Sequence, residues 1–174
     1  MLVIATNNQQ FLFYQRLKKI KMFGLFEAKN ELLTRREKKQ IVDTIQDIEQ
    51  KTSSEIRLYI EGECPYSNPL ERTKEIFQHL GMDKTELRNG VLMYIASESR
   101  VFSVFGDQAI YTKANDDFWQ AKITFMTTFF KNEQYAEGIE AGLKSIGQSL
   151  SEYFPATGKR KNELPDDIVF GKFN

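Results

Sequence analysis

The chain has 174 residues, 41% hydrophobic and 13% aromatic against 28% charged, with 14 phenylalanines. That is enough for one globular domain with a single buried core and tails, and it excludes disorder as the default state. The 24 basic and 24 acidic side chains cancel, so no general attraction to phosphate backbones or anionic membranes is written into the net charge, and nucleic acid is not an expected partner.

The opening residues MLVIATNNQQFLFYQRLKKIKMFGLFE begin apolar, but NNQQ interrupts the run and the basic residues follow it instead of preceding it. No secretory signal is expected, and no window reaches the roughly 18 consecutive apolar residues of a membrane span. A single cysteine, Cys64, cannot close an intramolecular disulfide, which favours a reducing compartment; the expected location is cytoplasmic, with no integral membrane segment. Residues 1–33 read as an N-terminal extension. Met22 is a second candidate start, which would leave residues 1–21 with little structural weight. The other reading is a helix from about Gln10 to Phe23, with Phe11, Tyr14, Leu17 and Lys18 at near-helical spacing, packed on the domain or on a partner.

The domain proper is expected over 34–155. Thr34 with Glu37 is a capping box, and Ile41, Val42, Ile45 and Ile48 form the apolar stripe of the helix that follows, which Thr52 and Ser53 end. In EIRLYIEGE, Ile56, Leu58 and Ile60 alternate with Arg57, Tyr59 and Glu61, the period of a strand. Asn68 and Pro69 then start a helix lined by Ile76, Phe77 and Leu80, and Gly81 stops it. VLMYIA, residues 91–96, is continuously apolar, as in a central strand covered on both faces. SESR makes a turn, and Val101 to Phe105 returns as the second arm of a hairpin. Two helices follow, an aromatic one begun near Asn115, Asp116 or Asp117 and carrying Trp119, and one from about Glu133 to Tyr153. Residues 156–174 read as an irregular tail around a NELPDD turn. Helices before, between and after strands give an α/β fold, a three-layer α/β/α sandwich on a small mixed β-sheet.

A helix between the first two strands makes them parallel, and the hairpin sends the third strand back. The approach to the first strand (Thr52 to Glu55), Arg88 and Asn89, and Gly106 and Asp107 should therefore meet at one sheet edge, with Asp116 and Asp117 within reach. Glu61, Glu63, Cys64, Ser97, Glu98 and Arg100 collect at the opposite edge. An oxygen-rich cluster suits hard divalent cations, so the candidate metal ligands are Asp107, Asp116, Asp117 and Glu55, and the candidate anion binders are Arg88 and Asn89. One histidine, His79, and one cysteine far from it cannot build a zinc site of the usual kind. Each candidate also has a plain structural reading. Asp116 and Asp117 suit a helix N-terminus, Asp107 a turn, and Glu55 an ion pair with Arg57 or Arg88. Asp166 and Asp167 suit a tail turn better than a ligand set.

Across roughly 34–170, TSSEIRLYIEGE, NPLERTKEIFQHLGM, RNGVLMYIASESRVFSVFGDQAI, the FW pair and YFPATGKRKNELPDDI together resemble the TPM domain family. That family is named after a thylakoid lumen protein, a photosystem II repair protein and a nematode acetylcholine-receptor accessory protein. The match is to its soluble, anchor-free bacterial branch. The resemblance implies an α/β/α sandwich and a low-affinity calcium or magnesium site at one sheet edge. It also implies acid phosphatase activity in plant members, and metal binding or membrane-protein maintenance in bacterial ones. It places Arg88, Asn89 and Asp107 in the family signature, with Glu55 and Arg57 in the first strand. Ala109 stands where the family usually has glycine and Tyr111 where the branch commonly has histidine, which removes a turn residue and a candidate acid or ligand. The expected function is therefore calcium or magnesium binding with an interaction or protein-maintenance role and a protein partner of unknown identity. The alternatives are a metal-assisted acid phosphatase and a metal-free structural binding module.

Overall fold

The computed structural model describes Leu2–Ile4, Phe13–Arg16 and residues 32–114, 116–156, 158, 163–165 and 167–171; for 2–4, 13–16 and 116–117 it describes the backbone alone. The elements in chain order are β1 (Leu2–Ile4), β2 (Phe13–Arg16), α1 (Arg35–Glu49), β3 (Ile56–Glu61), α2 (Pro69–His79), a 3-10 turn (Met82–Lys84), β4 (Val91–Ala96), β5 (Val101–Gly106), α3 (Gln108–Lys113), α4 (Asp116–Phe130), α5 (Tyr135–Tyr153) and β6 (Ile168–Phe170). Among the described residues the mixed sheet runs β1-β2-β5-β4-β3-β6. β3 and β4 are parallel, joined through α2, and β4 and β5 form the antiparallel hairpin.

Local signals account for most of these elements. Thr34 accepts from the Glu37 amide at 3.3 Å while the Glu37 carboxylate accepts from the Thr34 amide at 2.6 Å, so the capping box is closed in both directions. That contact, led by the Thr34 hydrogen bonds, holds the Glu37 carboxyl below its ordinary value. Asn68 caps α2 through the Leu70 amide, and Gly81, at φ 69°, takes the left-handed position that ends the turn after it.

The sheet divides two cores. On one face, Ile56, Leu58, Val91, Met93, Phe102 and Val104 pack against α1, α4 and α5. On the other, Tyr59, Leu92, Tyr94 and Phe105 pack against Leu70, Ile76 and Phe77 of α2. This is the three-layer sandwich. All of β3 is buried, Arg57, Tyr59 and Glu61 included, so its alternation separates two covered faces and not an inside from an outside.

The helical layer depends on close approach at α5. A Cβ on Gly147 would stand 2.5 Å from Ile48 Cγ2 and 2.6 Å from its Cγ1, and one on Gly142 would stand 2.5 Å from Met126 Sδ. Gly147→Val is expected to lower unfolding free energy by about 1–3 kcal/mol through overpacking of α1 against α5. A urea titration checks this, and an unchanged midpoint would contradict it.

Four elements depart from the sequence expectations, the first of them β1: Leu2–Ile4, within the expected N-terminal extension, is a strand paired antiparallel with β2. Phe13–Arg16 is a strand paired antiparallel with β5, not part of a helix over Gln10 to Phe23; the rest of that stretch lies outside the described residues. Gln108–Lys113 forms a short helix capped by Asp107. Ile168–Phe170, expected in an irregular tail, is a strand parallel to β3. A three-residue strand carries too little periodicity to announce itself and is fixed by the partner that it covers.

Candidate functional site

The register brings the expected segments together. Ile56 lies beside Val91 and Val91 opposite Gly106, so the start of β3, the start of β4 and the end of β5 share one edge. Backbone bonds lock that edge: the Val91 amide donates to the Glu55 carbonyl at 2.8 Å, the Asp107 amide to Gly90 at 2.9 Å, and the Ala109 amide to Arg88 at 2.9 Å.

Asp107 is deeply enclosed there, its side chain 2% exposed. Arg88 Nε donates to its Oδ2 at 2.6 Å and Nη2 to its Oδ1 at 3.0 Å, while Oδ1 also accepts from the Gln108 amide at 2.8 Å and so caps α3. The pairing is two-pronged and charge-assisted. Arg88 itself is 46% exposed at the side chain, and its backbone sits at φ 50°, a left-handed conformation that a side chain of this size rarely adopts. Hydrogen bonds and charge from Asp107 hold the guanidinium above its ordinary pKa, and the charge of Asp83 adds to the effect.

Asp83, in the 3-10 turn, was not among the sequence candidates. Its Oδ1 is buried and has no hydrogen-bond partner among the described residues. A buried carboxylate oxygen without a donor is costly and marks a place where a cation or another donor is welcome. Its only sequence signal was an acid in the turn between the Gly81 stop and the Arg88–Asn89 pair. Ser54 Oγ, at the same edge on a fully buried residue, is likewise without a partner.

The other candidates are distributed as follows. Asn89 is buried and its amide donates to Ser53 Oγ at 3.2 Å, which fixes the approach to β3. Glu55 is buried, and its Oε1 accepts from the Glu163 amide at 3.3 Å. Glu163 in turn accepts from the Glu86 amide through both oxygens at 3.3 Å, so the start of the NELPDD turn closes on this edge. Asp116 begins α4 and Asp117 follows it, but their side chains lie outside the described residues. Asp166 is also outside, and Asp167 accepts from the Ile168 amide at 2.8 Å at the start of β6. Ala109 is in α3 and has no positive φ, so glycine is not needed there; the left-handed residue of this edge is Arg88.

Among the described residues no three His, Cys, Asp or Glu side chains converge to hold a metal. Asp107 is taken up by Arg88 and the Gln108 amide, and Asp83 keeps one buried oxygen without a donor; both are hard oxygen donors of the type that magnesium takes one or two at a time beside its waters. They do not form a closed cage.

At the opposite end of β3, Glu61 stands where the strand order puts it, in a polar network whose other members, Arg72, Glu75 and Tyr94, were not among the sequence candidates. Arg72 Nε and Nη2 donate to the two oxygens of Glu61, each at 2.9 Å, Nη1 reaches Glu75 at 2.8 Å, and the Tyr94 hydroxyl donates to Glu61 at 2.6 Å. Burial, first of all, pushes the Tyr94 hydroxyl pKa up, and its bonds to Cys64 and Glu61 act in the same sense. The signal was available: Arg72 falls on the stripe of α2 that carries Thr73, Ile76 and Phe77, a charge on a buried face.

An α/β/α sandwich with a carboxylate and arginine cluster at the shared edge of two parallel strands and a hairpin defines the class of domain. The TPM domain family matches residues 27–149, and the chain belongs to that family. It is also similar to the BA42 protein of the psychrophilic bacterium Bizionia argentinensis, known from an NMR structure. The two are 36% identical with a TM-score of 0.77, over 84% of this chain and 100% of that one. No curated protein matches the chain. No helix among the described residues is long and apolar enough to cross a membrane.

Proposed function

We propose that this TPM domain is a low-affinity binding module for a divalent cation, calcium or magnesium, whose loaded edge serves interaction with a protein partner or its maintenance. The observations that support the reading are the enclosed Asp107 carboxylate, held by the half-exposed Arg88, and the orphaned buried oxygen of Asp83 in the turn that leads to Arg88. Asp107 is too enclosed to be solvated by water alone, and its charge is balanced by a guanidinium. A cation entering on Asp107 must part that ion pair, which keeps affinity in the low range of open, water-rich sites. Asp116 and Asp117 are the further candidate ligands, and Glu55 supports the edge from the side of the C-terminal turn.

Metal-assisted phosphomonoester hydrolysis has less support. Arg88, which would neutralise the developing phosphate charge, is committed to Asp107, and the Asn89 amide is turned to Ser53. Calorimetric titration with magnesium and calcium tests the binding reading. Asp107→Asn and Asp83→Asn are each expected to weaken binding about tenfold or more, since affinity follows the charge of the ligand set. Wild-type affinity in both variants would refute the assignment.

A further inference from the structure

Burying a lysine amine penalises its charged form, and the group it bonds to decides how much of that penalty is offset. Lys39 and Lys144 are exposed, and each donates to a carboxylate one helical turn away, Asp43 and Glu140, which holds them as ammonium ions. Lys122 is arranged differently. It lies half-buried on α4, and its Nζ donates at 2.8 Å to the Ser145 hydroxyl of α5, a neutral partner. Nζ is 5.0 Å from the centroid of the Phe118 ring, and the Phe118 and Tyr153 centroids are 6.2 Å apart, so the amine sits at an aromatic patch where α4 meets α5.

A hydroxyl both accepts and donates, whereas a carboxylate only accepts and favours the charged amine. When Lys122 loses its proton, Ser145 can keep the bond by reversing it, Oγ–H donating to the amine lone pair. Burial moves the Lys122 pKa below its ordinary value, with the charge of Glu152 acting in the opposite sense. A free amine is a nucleophile and an ammonium ion is not.

We propose that Lys122 is an acylation site of this domain, taking a short acyl group from an acyl phosphate while Ser145 positions the amine. The inference goes beyond the cation reading and does not depend on it. The Nζ lone pair attacks the acyl carbon; a carbon–nitrogen bond forms, the carbon–oxygen bond to phosphate breaks, and phosphate leaves with that electron pair. The surplus proton of the amine passes to water or to the departing phosphate. The product is a neutral amide whose remaining N–H can still donate to Ser145, and its short apolar group replaces a charge beside Phe118. A small donor with its own leaving group suits an amine half-buried between two helices, since no second protein has to reach it.

The test treats the full chain with acetyl phosphate at mildly alkaline pH and reads the initial rate at each lysine by peptide mass spectrometry. Lys122 should react about threefold or more faster than Lys39 and Lys144, because a lowered pKa raises the share of free amine. In urea the three should react alike, since the preference belongs to the fold. Ser145→Asp gives Lys122 a carboxylate partner and should bring its rate to that of Lys39 or below. Ser145→Thr, which keeps a hydroxyl, should retain the preference. If the aspartate variant does not fold, the comparison of three lysines within the wild-type chain decides alone. A Lys122 rate equal to or below those of Lys39 and Lys144, a preference that persists in urea, or one unmoved by Ser145→Asp in a folded protein overturns the inference.

Discussion

Arg72→Ala is expected to lower unfolding free energy by about 3–5 kcal/mol, the usual cost of breaking a buried ion pair from one side. Glu61 and Arg72 are 2% and 6% exposed at the side chain, and the Glu61 carboxylate accepts three hydrogen bonds, two from Arg72 and one from Tyr94. Removing the guanidinium leaves a carboxylate between the sheet and α2 with only the tyrosine hydroxyl to solvate it. The outward bond from Arg72 to Glu75 matters less, since Glu75 is 49% exposed. Equilibrium denaturation in urea measures the loss, and a change below about 1 kcal/mol would mean that water or a neighbour replaces the pair. Replacing Glu61 and Arg72 together by apolar residues should recover much of the stability, because no charge is then left uncompensated.

Deleting residues 163–174 is the second large effect. Ile168 is 6% exposed, β6 is parallel to Leu58–Ile60 of β3, and the Tyr59 hydroxyl donates to the Gly171 carbonyl at 2.7 Å. Loss of that apolar burial together with the ladder and tyrosine bonds should cost about 3–6 kcal/mol. The deletion also bares the edge of β3, a fully buried strand, so concentration-dependent association should accompany the lower stability. A thermal midpoint equal to that of the full chain, in a protein that stays monomeric, would contradict this role. β6 lies beyond the stretch matched by the family, 27–149, yet it completes the sheet next to the strand that opens the candidate site.

What the sequence revealed and what it hid follow one physical division. Features written in neighbouring residues were legible: the Thr34–Glu37 box, the Asn68–Pro69 start, the apolar run 91–96 and the short SESR turn. From these the parallel pair and the hairpin followed, and so did the edge where Glu55, Arg88 and Asp107 meet. Contacts decided by register were not legible. Arg88 and Asp107 are nineteen residues apart, and only the pairing of Val91 with Gly106 sets them face to face. That pairing changed the chemistry of the site, since the proposed anion binder and the proposed metal ligand turned out to hold each other. Asp83 was hidden for a related reason: an acid in a turn is ordinary until its oxygen is seen to be buried without a donor. β6 and α3 were hidden by brevity, being three and six residues long.

Amide chemical shifts of the wild-type chain, followed while magnesium and then calcium are added to millimolar concentration, test the central claim most directly. Cation binding at this edge predicts saturable shifts at residues 83, 88 and 106–108, extending into 116–117, with little change around Glu61 and Arg72 at the far end of β3. Shifts that grow linearly and evenly over the surface, with none saturating at Asp83, Arg88 or Asp107, would contradict it.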